Sequence, residues 1–160
     1  MATITARSPA PLPKSVLDHV TRRAAERCSA PVACVSLVDA NRLLLTGSYG
    51  LSAPIALLLA WACSTRVVAS RRPLMVEDAR HHPLMAQSPA VRDGMMMAYA
   101  GAPLLSADGR AVGVLFVMDP TPRHWTDAEL ETLVVLAAST VRKLKPSARA
   151  APPRRQSSRQ

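Results

Sequence analysis

The spacing of apolar residues along the chain changes period several times, and each change marks an element. Val16, Leu17, Val20, Ala24 and Cys28 recur close to the helical repeat, predicting an amphipathic helix from Val16 to Ser29. Ser15 is its expected N-cap, with Asp18 three residues on, and Pro31 stops it. Val32 to Asp39 (VACVSLVD) and Arg42 to Tyr49 then read as two strands of a hairpin turning at Ala40-Asn41. After a loop from Gly50 to Pro54, Ile55 to Ala69 is predicted helical, with a break admitted near Cys63-Ser64. Pro73 to Glu77 is a short strand, and Ala79 to Gly94, with Pro83 and Pro89, is irregular with short helical turns. Tyr99 to Leu105 and Ala111 to Met118 pair across Asp108-Gly109, where glycine supplies the positive φ of a tight turn. Asp119-Pro120 ends the last strand, because proline cannot donate into a ladder. Thr126 with Glu129 forms a capping box opening a helix from Asp127 to Leu144, striped by Leu130, Leu133, Val134, Ala137, Val141 and Leu144.

This order predicts an α/β (α+β) sandwich around one mainly antiparallel sheet of five to six strands. The last strand places Val112, Val114, Phe116 and Met118 on one face and Leu115 and Val117 on the other, so both faces need cover. The terminal helices can cover one. The segment from Leu51 to Gly94 must cover the other. Within it Ile55 to Ala62 (IALLLAWA) is apolar all round, so one side is expected on the sheet and the other against a partner subunit or an apolar ligand. Leaving Leu57, Leu58 and Leu59 in water would forfeit about 1.5–3 kcal/mol each.

Three strands with their punctuation, RPLMVEDARHHPL, AYAGAPLLSADGRAVGVLFVMD and PRHW, resemble the GAF domain over roughly Ser15 to Leu144. The resemblance implies a mostly non-enzymatic sensory module with a cavity under its second layer, and pairing through the terminal helices. Three specialised members of that family are set aside. The cyclic-nucleotide signature is absent, since the one Asn is followed by Arg42 and the one Phe lies deep in the last strand. Bilin attachment commonly uses Cys-His, whereas Cys28, Cys34 and Cys63 precede Ser, Val and Ser. The free methionine sulfoxide reductase motif needs a late cysteine, and none follows Cys63.

Composition narrows the chemistry. The chain has 160 residues, 49% of them apolar but only 3% aromatic, so a pocket must be aliphatic and methionine-lined. The pocket candidates are Trp61, Cys63, Met75, Met97, Tyr99 and Met118. Methionine suits an adjustable cavity, although plain core filling also explains each one. Trp61 and Tyr99 each carry a polar atom that needs a partner when buried. Cys63 stands where many bacterial GAF sequences read Ser-Phe-Cys. As a redox sensor it needs a lowered pKa, which Arg66 is placed to supply, and as an inert core residue it needs nothing. Glycine-rich phosphate loops, a Gly-x-Ser-x-Gly elbow and a His-Glu-x-x-His helix are all missing, and the chain is expected not to be an enzyme. His81-His82, with Asp78 three residues before His81, is a sparse metal set, and no metal is assigned. Asp39, Glu77, Asp78 and Asp119 end strands and are expected to cap turns.

The formal net charge is +9, and Arg142 to Gln160 holds seven basic residues and no acidic one. The expected organisation is therefore a disordered tail over 1–14, one domain over 15–145, and a basic Pro/Arg-rich disordered tail over 146–160. Three unpaired cysteines point to a cytoplasmic protein. No membrane span is expected, since the uncharged run from Leu43 to Thr65 is interrupted by Thr46, Gly47, Ser48, Gly50, Ser52 and Pro54. Expected partners are a second copy through the terminal helices, a small ligand of unknown identity, and a separate signalling protein. Weak non-specific contact of the basic tail with nucleic acid or an acidic surface is the remaining possibility.

Overall fold

A computed structural model describes residues 12–40, 42–51, 56–83 and 85–144, with backbone only at 56–59. The expected tails fall almost wholly outside these residues, as do the side chains of Leu57, Leu58 and Leu59. The elements run α1 (Lys14–Arg27), β1 (Val32–Asp39), β2 (Arg42–Tyr49), α2 (Ala56–Ser70), β3 (Leu74–Val76), a 3-10 turn (Ala79–His81), α3 (Pro89–Arg92), β4 (Ala98–Leu105), β5 (Ala111–Asp119) and α4 (Asp127–Lys143).

The described strands form one sheet in the order β2-β1-β5-β4-β3, every neighbouring pair antiparallel. β5 sits at the centre because its whole middle is apolar on both faces, and all residues from Gly113 to Met118 are buried. α1 and α4 cover one face. Leu17, Val20, Thr21 and Ala24 of α1, Cys28 just past its end, and Leu133, Ala137 and Thr140 of α4 close over Ala33, Val35, Ala98, Ala100, Ala102, Leu115 and Val117. Thr21 and Thr140 are buried with their hydroxyls satisfied, each donating to a carbonyl one turn back, at 2.8 and 2.7 Å. α2, α3 and the irregular segment cover the other face.

Four local expectations change. Ser15 is not the N-cap of α1: the helix begins at Lys14 behind Pro13, with no side-chain cap bond. α1 also ends at Arg27, short of the expected Ser29, which turns left-handed at φ 49°. α2 is continuous through Cys63-Ser64 to Ser70. The third change concerns β5. Leu104 pairs with Gly113 and Leu105 with Ala111, so Val112 is an extra residue, a β-bulge. The bulge turns Val112 to the α1–α4 side, away from Val114, Phe116 and Met118. On α4, Val134 leaves the buried stripe and is 42% exposed.

The joints follow the sequence signals. The β4–β5 turn closes with Gly109 at φ 81° and its N–H on the Ser106 carbonyl at 2.9 Å. The capping box is complete: Glu129 N–H donates to Thr126 Oγ1 at 3.1 Å and Thr126 N–H to Glu129 Oε1 at 3.3 Å. Asp119 Oδ1 accepts from the Thr121 N–H and hydroxyl at 2.9 and 2.8 Å. Asp78 caps the 3-10 turn by accepting from the Arg80 N–H, and the Arg80 side chain holds its carboxyl down to about 2.

Candidate functional site: a cleft between α2 and the β1–β2 hairpin

α2 turns Ala60, Cys63, Ser64 and Val67 onto the sheet, the i, i+3, i+4, i+7 spacing of a buried helical stripe. They meet Cys34, Val76, Tyr99, Val114, Phe116 and Met118, with Met85, Met96 and Met97 closing one end. Tyr99 is at the centre, fully buried and stacked on Phe116 with ring centroids 5.3 Å apart. Its hydroxyl shares a 2.7 Å hydrogen bond with Ser64 Oγ. Gly101 makes this position available, because a Cβ there would stand 2.5 Å from Tyr99 Oη and 2.8 Å from a ring carbon. Burial pushes the Tyr99 pKa well above 10, against the lowering effect of Ser64.

Toward the β2 edge this packed layer opens into a cleft of about 180 Å³. Ser36 of β1 and Leu43 and Leu45 of β2 line one side, and Ala60, Trp61 and Ser64 of α2 the other. Ser36 has 7% exposure and Ser64 1%, so the cleft places two small hydroxyls between leucine and tryptophan walls. Ser64 belongs to both regions: one side of its oxygen holds Tyr99, and its residue faces the cleft.

Of the six residues singled out by sequence, Trp61 lines this cleft, 61% exposed. Cys63, Met97, Tyr99 and Met118 lie in the packed layer behind it, at most 8% exposed. Met75 is not with them. It pairs with Ala100, whose side chain belongs to the α1–α4 core, so the period of two turns Met75 to the opposite face, 38% exposed. Sequence reasoning passed over Ser36, Leu43, Leu45 and Ser64. The available signal was a small hydroxyl at a position the pattern assigns to the core: Ser36 in VACVSLVD and Ser64 on the inner stripe of α2.

Cys63 does not carry the electrostatics of a reactive thiol. Burial pushes its pKa up to about 12, and the opposing charge of Arg66 does not overcome that. Its Sγ lies 3.4 Å from Met85 Sδ. Cys34 is likewise pushed up to about 12 by burial, and Cys28 to about 11 by burial and the nearby Glu129. His81 reaches Asp78 at 3.5 Å on the surface, and no group of three His, Cys, Asp or Glu among the described residues is placed to hold a metal ion. Two further hollows lie elsewhere. One of about 420 Å³ runs between α1 and α4 past Arg23, Arg27, Glu131, Val135 and Leu136. Another of about 160 Å³ lies by Arg71, Pro73, Pro103, Leu105 and Val134.

The GAF domain model matches residues 13–142. The chain belongs to the GAF domain family, whose members are commonly sensory or regulatory modules. Among solved structures, the GAF domain of an Acinetobacter phosphoenolpyruvate-protein phosphotransferase shares 22% identity at a TM-score of 0.67, over 88% of this chain and 84% of that one. A domain of a putative two-component sensor histidine kinase from Sinorhizobium meliloti shares 16% at 0.67, over 81% and 90%. The free methionine-R-sulfoxide reductase of Neisseria meningitidis, solved with its substrate, shares 19% at 0.64, over 80% and 75%. At these identities the likeness is one of fold. No curated protein sequence gives a significant match. No helix among the described residues is long and apolar enough to cross a membrane.

Proposed function

We propose that this chain is a non-catalytic sensory GAF domain whose α2 cleft takes a small, mainly apolar molecule bearing one hydrogen-bonding group. The observation that carries this reading is the pair Ser36 and Ser64 set into leucine and tryptophan walls. A few convergent polar groups in an apolar hollow are the usual make-up of a ligand site, and a volume of about 180 Å³ selects a ligand well below drug size. The described residues that line the cleft are hydroxyl-bearing or apolar, a make-up suited to binding a small apolar ligand. Cys63, held protonated by burial, does not favour a thiol sensor or thiol enzyme. Unpaired thiols support a cytoplasmic setting, and the ligand signal is expected to pass to a separate signalling protein.

Native mass spectrometry of the purified full chain, with an absorption spectrum, tests this reading. A co-purified small mass is expected on the wild type and lost when Ser64→Leu fills the cleft. A bare wild-type mass, with Trp61 fluorescence unmoved by a panel of small alcohols and amides, rejects it. A second reading, self-association through the terminal helices, is favoured by the α1–α4 groove and by Val135 beside it, 57% exposed. Val135→Arg is expected to weaken that contact in light scattering without unfolding the chain.

A further inference from the structure

β2 is an edge of the sheet, with β1 its one strand neighbour among the described residues. A strand edge presents a row of backbone N–H and C=O groups that an extended chain can complete, and proteins usually blunt such edges with short strands, lysine, proline or a bulge. The other edge follows that rule, for β3 has three residues. β2 has eight, RLLLTGSY, with Arg42 its one charge and no lysine or proline. Apolar surface gathers beside it: Leu44 is 40% exposed, Leu45 39%, Tyr49 39% and Trp61, across the cleft, 61%.

The bulge in β2 selects what pairs there. Val35 pairs with Gly47 and Ser36 with Leu45, so Thr46 is an extra residue, its hydroxyl donating to the Val35 carbonyl at 3.2 Å. Leu43, Leu45 and Ser48 therefore face α2, being opposite Val38, Ser36 and Cys34. Arg42, Leu44, Gly47 and Tyr49 face the α1 side, opposite Asp39, Leu37, Val35 and Ala33. A regular strand of eight residues ends on opposite faces and cannot pair antiparallel with its own copy over its full length without mismatching them. The extra residue restores the match: read outward from Leu44 in one direction and from Gly47 in the other, the faces follow the same order. In that register Leu43 meets Ser48 of the second copy, Leu44 meets Gly47, and Arg42 meets Tyr49. Each pair shares a face. The two Arg42 charges lie at opposite ends, each beside an aromatic ring rather than a like charge.

We infer that β2 pairs antiparallel with β2 of a second copy of this chain, centred on the Leu45–Thr46 step, joining two five-stranded sheets into one. The two-fold axis of such a pairing is normal to the sheet, so both α2 layers lie on the same face and the two clefts adjoin across the joint. This surface is distinct from the α1–α4 groove and does not depend on a ligand in the cleft.

The test uses the full chain carrying Val135→Arg, so that the helix groove is blocked. Light scattering at high micromolar concentration is expected to give a doubled mass, reduced to monomer by adding Leu44→Lys with the circular dichroism unchanged. Opposite positions in a strand pair bring Cβ atoms about 4.5–5.5 Å apart, so Leu43→Cys with Ser48→Cys is expected to give a covalent dimer under mild oxidation. The control Leu44→Cys with Ser48→Cys, whose residues lie on opposite faces, is expected to give none. A monomeric Val135→Arg chain overturns the inference. So does a dimer that cross-links equally in both double variants, or one that Leu44→Lys leaves intact.

Discussion

Arg123 shows how much one side chain organises. It donates to the Cys28 and Ser29 carbonyls at 2.8 and 2.9 Å, supplying partners where α1 leaves its last carbonyls open. It also pairs with Glu129 at 2.7 Å and Asp119 at 3.5 Å and stacks 4.1 Å over the Trp125 ring. One guanidinium thus ties the end of α1, the end of β5 and the start of α4. Removing it leaves Glu129, itself only 17% exposed, without its cation. Arg123→Ala is expected to cost about 3 kcal/mol, near the low end for breaking a shielded pair. Arg123→Lys should recover only part, since an ammonium lacks the planar fork. A urea midpoint that falls at constant slope is the expected observation, and an unchanged midpoint would show the network to be ornamental. Gly101 is the second such point. Gly101→Ala sets a methyl into the Tyr99 ring and should destabilise by about 1–3 kcal/mol. A thermal melt unaffected by the substitution would mean that Tyr99 is free to move aside.

At the scale of elements, α4 owes its start to a local device and its position to a tertiary one. Thr126 and Glu129 satisfy two backbone N–H groups reciprocally, and Thr126→Ala should cost about 1 kcal/mol. Thermal denaturation and amide exchange in the first turn of α4 measure this; full protection in the variant would contradict it. What docks the helix is Trp125, 2% exposed, whose indole N–H donates to the Val76 carbonyl at 3.1 Å. That bond ties the entry of α4 to the short edge strand β3. Both bulges act at this scale too. Each adds one residue to a strand and so changes which side chains share a face beyond it.

For the molecule as a whole, the buried titrating groups set an alkaline limit. Cys28, Cys34 and Cys63 ionise near 9.0 when exposed but near 11, 12 and 12 when folded, and Tyr99 is raised well above 10. Burial disfavours the charged forms, so above pH 9 the unfolded chain releases protons that the folded chain keeps. Stability is then fully present below pH 9 and falls as pH rises from 9 toward 12. Urea midpoints at pH 8, 9.5 and 10.5 should decline in that order, and less steeply in Cys34→Ala than in the wild type. A flat profile would contradict the burial of these thiols. The same burial predicts that Cys63 resists alkylation at pH 8 until the chain unfolds.

The elements themselves were legible in the sequence because each rests on local rules. Strand alternation, the Asp108-Gly109 turn and the Thr126–Glu129 box depend on residues within a few positions of one another, and their bounds agree closely with β1, β2, β5 and α4. So did the need for cover on both faces of β5. Three things were decided only by the assembled fold. Val112 and Thr46 became bulges because strand register is set by the neighbouring strand, which a single-strand pattern does not contain. Met75 left the pocket face because its direction depends on where β3 pairs. The cleft formed around Ser36 and Ser64, 28 positions apart in the chain. It took shape there because only the packing of α2 across β1 and β2 sets Trp61 and Ser64 against Ser36, Leu43 and Leu45 across one space.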